Sequence, residues 1–470
     1  MGGQIVLIGR QAELDTLRRL YNKSGFQMPV LFGRRRVGKT YLMSEFVRDK
    51  PAIFFTAVED NMTVNLRNLS REIYSLDHPG ADVQLAPLYP DLHTAFEAVF
   101  SRAESQRLVF VIDEYPYLAK ADPSVSSILQ ALIDRSKGGS QLFLMLCGSS
   151  LSFMREQVLG EKSPLYGRRT AQLELKPLDF FEARQFFPNM DVRHAAQLYG
   201  AVGGIPLYLQ QFSDRASFED NIRDVFLDPS SILFEEPLNL LKQEVQKSAT
   251  YNAIIGAIAA GKTENNEIAT TVGIASSELT YYLKELDRIG LVEKDRPVCD
   301  GSRRPVYRLS DTMFRFWYRF VMPNRSTIER RMPQRALSAV SRYLSVYMGE
   351  VFEQICREWL WRRNMGGELQ AEFDELGRWW GNNPQLRREE EIDVVGVAEG
   401  SPVLVGECKW RNEVVGVDVL ETLDWRAALI HASTGVHRYL FSKAGFCDAL
   451  HEMAAHDDCL HLVGIEDMLR

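Results

Sequence analysis

Apolar positions along the chain fall into short runs and spaced stripes that predict alternating strands and helices. Pro29-Val30-Leu31-Phe32 reads as a short buried strand, and residues 41–47, with Leu42, Met43, Phe46 and Val47, as the helix that follows it. Leu14, Leu17 and Leu20 mark an earlier helix. Residues 52–57 read as a further buried strand, 64–76 as a helix, 78–90 as a loop containing proline and glycine, and 92 to about 105 as another helix. The runs 108–112 and 142–147 are apolar without alternation, as central parallel strands are, and 171–175 reads as the last strand. Strands alternating with helices through local crossovers predict a doubly wound parallel sheet. From Leu178 to about Pro237 the pattern is helical, with loops at 187–189 and at Gly203-Gly204.

The second half reads differently. Residues 251–260 predict an apolar helix, and 267–272 a short one ended by Gly273. A third helix follows Ser276-Ser277 and carries Leu279, Tyr282, Leu283 and Leu286 on one face. Residues 291–294 and 305–309 predict a hairpin with its tip at 300–304. Helix, glycine turn, helix and hairpin together resemble the winged helix of DNA-binding regulators. The aromatic stretch 311–320 reads as a helix docked into a core, with single-strand stacking as the alternative. Residues 325–335, with Arg325, Arg330, Arg331 and Arg335, read as a basic linker and solvated helix. Beyond them the pattern predicts a helix at 351–361, strands at 376–380, 392–397 and 403–409, a helix at 417–430, a strand at 439–441, a helix at 447–455 and a strand at 460–463.

Composition changes this picture little. The chain has 470 residues, 45% hydrophobic and 25% charged, enough for about three domains. A formal net charge of −8 removes any whole-chain basic field for nucleic acid, leaving only local patches. From 241 to 320 there are 12 Lys/Arg and 10 Asp/Glu, a net of +2. The six cysteines form no C-x-x-C pair, as expected of reduced thiols in a cytoplasmic protein. No apolar run is long enough for a membrane span, and the N-terminus has neither the charged nor the apolar region of a secretory signal. Met1-Gly2 starts like a myristoylation site, but Val6 stands where serine or threonine is needed.

The chemistry begins at Gly33-Arg34-Arg35-Arg36-Val37-Gly38-Lys39-Thr40, a G-x-x-x-x-G-K-[ST] phosphate loop set between a strand and a helix. Glycines let backbone N–H groups face phosphate oxygens, and the helix N-terminus adds positive potential. Lys39 is then placed for the β- and γ-phosphates of ATP, and Thr40 for magnesium, with Tyr41 opening the helix. The run 108–112 ends in Asp113-Glu114, at the carboxyl end of a strand where ligands of open α/β sheets bind. Asp113 is expected to hold magnesium and Glu114 to act as general base on the attacking water. Ser149, after the strand ending at Cys147, either touches the γ-phosphate or the water, or caps a turn.

Residues 1–240 resemble the archaeal-type ATPase family, AAA+-related P-loop NTPases of the signal-transduction class. The resemblance rests on Ile8-Gly9-Arg10, the phosphate loop, 113–118, Cys147-Gly148-Ser149-Ser150, 163–169 and 203–208. It implies that Arg10 lies near the nucleotide base, that a helical lid opens at Gly204-Ile205-Pro206, and that Ser149 is the sensor. It also implies that Arg168 or Arg169 senses phosphate, in cis or across a subunit boundary; paired loop arginines are otherwise surface charge.

Asp393 with Glu407-x-Lys409 resembles the PD-(D/E)XK restriction-endonuclease signature, in a domain of unknown function usually fused to these ATPases. Glu407 and Lys409, two apart on a strand, share a face. Asp393 and Glu407 are the expected magnesium ligands, Lys409 the group that orients water, and Glu353 an accessory acid. Asp393 reaches that face only through a three-residue loop or a bulge, because a two-residue turn sets the wrong register. Glu391-Ile392 stands where the signature has proline. His451, His456, Asp457, Asp458, Cys459 and His461 lack zinc spacing and read as a polar helix end.

The expected fold is therefore α/β and multidomain: a P-loop NTPase parallel sheet at 1–176, a helical lid at 177–240, a winged helix-turn-helix at 241–322 and a restriction-endonuclease-like α/β domain at 323–470. The expected function is ATP hydrolysis coupled to a module acting on DNA, with ATP and Mg2+ bound. Thr280, Tyr281, Lys284 and Arg288 on the third helix, and Arg303 and Arg304 on the wing, are the candidate contacts to double-stranded DNA. The alternative is a nucleotide-dependent signalling switch that binds a protein partner or a further copy of itself, with an inactive nuclease-like domain.

Overall fold

The computed structural model describes residues 7–136, 138–299, 305–383 and 386–469. The hairpin tip with Arg303 and Arg304, and Met1, Gly2 and Val6, lie outside the described residues. Two compact units emerge: Met1–Pro177 with Ile205–Leu207, and Leu178–Gly204 with Tyr208–Arg470.

In the first unit five strands, β1 (Pro29–Phe32), β2 (Ala52–Thr56), β3 (Leu108–Asp113), β4 (Leu142–Gly148) and β5 (Ala171–Glu174), form a sheet in the order β2-β3-β4-β1-β5. Every pairing is parallel. β1, β3 and β4 are buried along their whole length, which is why they lack polar alternation. Helices Met62–Asp77, Leu92–Ser105 and Val125–Ser136 place Leu69, Ile73, Phe96, Val99, Leu129 and Ile133 into a core with Phe55, Phe110 and Leu144. This arrangement brings the carboxyl ends of β1, β3 and β4 side by side, so the phosphate loop, Asp113 and Gly148-Ser149 meet.

In the second unit, Leu178–Gly204 packs on a helix of 32 residues, Gln334–Met365. A Cβ on Gly200 would lie 2.7 Å from the Met348 sulfur and force that side chain to shift, and Tyr347 donates to the Gly200 carbonyl at 2.6 Å. Sequence pattern placed only 351–361 of this helix; its earlier turns bury Ala336, Val340, Leu344 and Met348, an i, i+4 stripe hidden among basic residues. Helices Ser248–Ala259, Asn265–Val272 and Ser276–Arg288 precede the antiparallel hairpin of β6 (Val292–Asp295) and β7 (Val306–Leu309). Residues 312–321 form one helical segment that closes in a π-turn, with Phe314, Phe316, Trp317, Tyr318 and Phe320 all buried, as a docked helix requires.

A second sheet follows, in the order β12-β11-β10-β9-β8, from β8 (Glu375–Asn383), β9 (Arg388–Ala398), β10 (Ser401–Lys409), β11 (His437–Ser442) and β12 (Leu460–Gly464). β8, β9 and β10 are antiparallel, and β10, β11 and β12 parallel. The β9–β10 turn is only two residues, Glu399 and Gly400, both at positive φ, and a bulge between Pro402 and Leu404 shifts the register. The six cysteines are unpaired. Among the described residues no helix is long and apolar enough to cross a membrane.

Candidate functional site

The phosphate loop is shaped by neighbours as much as by its own glycines. A Cβ on Gly33 would lie 2.4 Å from the Leu175 carbonyl oxygen, so the close passage of the chain after β5 requires glycine there. Arg36 (φ 71°) and Gly38 (φ 93°) adopt left-handed conformations, the backbone shape that lets successive N–H groups face an anion. Val37 is fully buried; Arg34, Arg35, Arg36 and Tyr41 are half-buried, and Arg35 donates to the Tyr117 hydroxyl at 2.9 Å. Lys39 is only 6% exposed and donates to the carbonyls of Gly33 and Arg34, both at 2.9 Å. Burial lowers its pKa, against the pull of Cys147, Glu114 and Asp113. Its carbonyl partners are neutral acceptors that phosphate oxygens can replace.

Thr40 donates to Asp113 at 2.9 Å, which joins the two expected magnesium ligands directly. Both offer hard oxygen, the chemistry magnesium selects, and they fit it. Glu114 adopts a left-handed conformation (φ 51°), a strained choice for this residue type. Its Oε2 accepts from the Ser149 hydroxyl at 2.9 Å and the Ser149 amide at 3.2 Å. Ser149 thus fixes the orientation of Glu114. Pro206 stands over the loop, its Cγ 3.8 Å from where a Cβ on Gly38 would be. Arg10, also left-handed and 6% exposed, donates to the carbonyls of Val37 and Lys176 and pairs with Glu13. Arg168 is engaged by Asp134 and by the Pro164 and Tyr166 carbonyls, and Arg169 by the Leu159 carbonyl and the Tyr166 ring. Either would have to leave these partners to reach a phosphate.

In the second sheet the bulge decides the geometry. Beyond it Val405 faces Val395 and Gly406 faces Val394, so the next step sets Glu407 opposite Asp393. The even register required by the chemistry is reached despite the two-residue turn. Asp393 and Glu407 are about equally buried, 6% and 5% exposed, and Asp393 accepts the Cys408 amide at 2.9 Å. Burial, then the Glu407 charge, raise the Asp393 pKa to about 6. Burial, then Asp393, push Glu353 to about 7, and Glu353 Oε2 has no hydrogen-bond partner. Lys409 donates to Glu407; burial opposes its charge, but Glu407 and Asp393 outweigh that and raise its pKa. Arg426 donates to both Glu407 oxygens at 3.3 Å and to Glu390 at 3.0 Å. Arg426 and Glu390 carry no signal in the sequence, since neither residue belongs to a motif and nothing local shows that this arginine of the helix Val417–Leu429 meets β9 and β10.

Residues 7–212 match the model of a family described as an ATPase domain predominantly from Archaea, and 317–422 match one described as archaeal and bacterial proteins of unknown function. An uncharacterized protein of Methanocaldococcus jannaschii is 32% identical over 411 residues, covering 87% of this chain and 88% of that one. The chain belongs to the archaeal-type ATPase family. An uncharacterized ATP-binding protein of the same organism is 40% identical over 50 residues, covering 11% of this chain and 85% of that protein. Among solved structures, a Walker-type ATPase of Pyrococcus abyssi shares the fold at a TM-score of 0.52 and 20% identity, covering 67% of this chain and 96% of that one.

Within this ATPase the remaining candidates are placed as follows. Thr280, Tyr281 and Lys284 are exposed on the helix Ser276–Arg288, whereas Arg288 pairs with Glu285 at 2.6 Å. His461 stacks on His437 and Tyr439, and Asp457 pairs with Arg438. Among the described residues no three Asp, Glu, His or Cys side chains form a ready metal cage. An Asp393–Glu407 site therefore suits only an ion that keeps water or substrate oxygens in its shell, as magnesium does.

Proposed function

We propose that this protein binds and hydrolyses ATP with magnesium and couples the nucleotide state to a winged helix and a nuclease-like domain acting on double-stranded DNA. The observation that carries the hydrolytic part is Glu114, strained, half-buried beside Asp113 and oriented by Ser149. Lys39 exchanges the Gly33 and Arg34 carbonyls for phosphate oxygens, and Glu114 takes the proton of the attacking water. Magnesium, held by Thr40 and Asp113, neutralises phosphate charge when bound. Pro206 closes over the loop, and Arg10 holds the Val37 carbonyl so that the loop keeps its shape. Arg168 or Arg169, in cis or from a neighbouring copy, completes charge neutralisation. Six unpaired cysteines support a reducing, cytoplasmic setting.

The DNA part is supported by Asp393, Glu407 and Lys409 on one sheet face, with Thr280, Tyr281 and Lys284 exposed on the third helix of the winged module. A second reading, a switch that binds a protein partner and cuts nothing, is favoured by one observation: Glu407 is already neutralised by Lys409 and Arg426. The deciding experiment is ATP turnover with and without duplex DNA, beside Glu114→Gln. Stimulation by DNA that vanishes in Glu114→Gln, with DNA cleavage lost in Asp393→Ala, supports the first reading. Turnover indifferent to DNA, with no cleavage, supports the second, and turnover unchanged in Glu114→Gln refutes the assignment of the base.

A further inference from the structure

A cavity of about 390 Å³ opens within the second unit where the helix Ser248–Ala259, strand β7, the aromatic helix and the long helix meet. One side is apolar, with Ile258, Leu309, Val346 and the Tyr307 ring. The other carries Arg308, Arg315, Arg319 and Arg378. An adjoining cavity of about 360 Å³ shares three of these arginines and adds Lys294 and Arg357. Six cations thus line the two spaces against four acids, Glu293, Asp295, Glu350 and Glu353. Glu350 is divided between Arg308 at 2.7 Å and Arg315 at 3.3 Å, and the buried Nε of Arg315 has no acceptor. Arg319 has no ion pair among the described residues.

We propose that this cavity binds a small phosphorylated ligand of mononucleotide size, phosphate against the arginines and a planar ring against Tyr307 and the apolar side. Guanidinium forks match phosphate oxygens in geometry as well as charge. A volume of this order suits a single small molecule rather than a polymer. The residues are separate from the phosphate loop, while Glu353 and Arg357, which donates to the Asp393 carbonyl at 3.1 Å, join the cavity walls to the Asp393 centre. The phosphate contacts themselves use neither Asp393, Glu407 nor Lys409, so the proposal stands whether or not DNA is cleaved. The wing strand and the long helix both line the cavity, so occupancy would fix one against the other.

The test uses the full chain carrying Lys39→Ala, which removes binding at the phosphate loop, titrated with anthraniloyl-AMP by fluorescence anisotropy. Saturable binding is expected, displaced by inorganic pyrophosphate, and weakened about tenfold by Arg319→Glu. Val346→Trp, at a position 77% exposed, fills the cavity mouth and gives the same loss with an unchanged thermal transition. Absence of saturable binding, or binding that survives both substitutions, overturns the proposal. Displacement by duplex DNA but not by pyrophosphate would assign the arginines to a nucleic-acid backbone and overturn it equally.

Discussion

The two acidic centres hold their glutamates, Glu114 and Glu407, in opposite ways, although Asp393 of the second centre accepts from the neutral Cys408 amide. In the first sheet, Asp113 accepts from the Thr40 hydroxyl and Glu114 from the Ser149 hydroxyl and amide, all neutral donors. In the second, Glu407 is held by Lys409 and by Arg426, which also holds Glu390. Neutral donors orient a carboxylate and leave its charge available to a cation or a proton. Cationic donors orient it and consume that charge. Glu114 therefore keeps its charge free for a cation or proton, whereas the charge of Glu407 is freed only when a ligand displaces Lys409 or Arg426.

The largest effect is expected at the neutral centre. Thr40→Val removes a hard-oxygen ligand and should lower magnesium-dependent ATP turnover by about 100-fold. A fall below about threefold would make the Thr40–Asp113 bond merely structural. At the cationic centre, Arg426→Gln leaves Glu390 and Glu407 short of a partner and should cost about 2 kcal/mol in urea unfolding. No loss there would mean that Arg388 and Lys409 alone satisfy both acids.

Ser149→Ala sharpens the contrast, because the Ser149 amide still donates to Glu114. Turnover should fall by roughly tenfold with KM unchanged. A raised KM instead would place the hydroxyl on the nucleotide. The smallest effect concerns a third carboxylate. Among the described residues Glu358 accepts from neutral donors, the Phe180 amide at 2.9 Å, the Tyr199 hydroxyl at 2.8 Å and the Gln354 amide group at 2.9 Å. Burial raises its pKa from 4.5 to about 7, so the folded state binds the extra proton. Its stabilising contribution is complete below the unfolded pKa and is lost as pH rises from about 4.5 through about 7. Unfolding midpoints across that range should decline in the parent and decline less steeply in Glu358→Gln, where Glu353 and Asp393 still titrate. An unchanged slope would remove Glu358 from the pH dependence.

The nucleotide centre was legible because its residues are local in sequence: the phosphate loop lies within eight positions, and Asp113-Glu114 ends an unbroken apolar run. Ser149 was not separable from a turn cap, since its bond to Glu114 exists only because β3 and β4 are neighbours, a pairing that no local pattern encodes. The second centre was legible as a condition. Even register between Asp393 and Glu407 was required, and the bulge after Pro402 meets it, but alternation alone does not announce an extra residue. Arg426 stayed hidden because its partners arrive from another strand. The early turns of the long helix stayed hidden because Arg335 and Arg342 interrupt a stripe that Ala336, Val340, Leu344 and Met348 nonetheless keep.

That helix has a mechanical consequence. At 32 residues it is about 48 Å long. Near its middle it grips Gly200 and Thr312 through Tyr347, and further along it carries Arg357 to the Asp393 carbonyl and Arg362 to Asp179. A rod of this length does not damp a tilt but magnifies it: about 10° at one end becomes roughly 8 Å at the other. Angular play of about 5° about the Gly200 contact would therefore reach Arg357, about 15 Å further along, as a shift of about 1 Å beneath the Asp393 carbonyl.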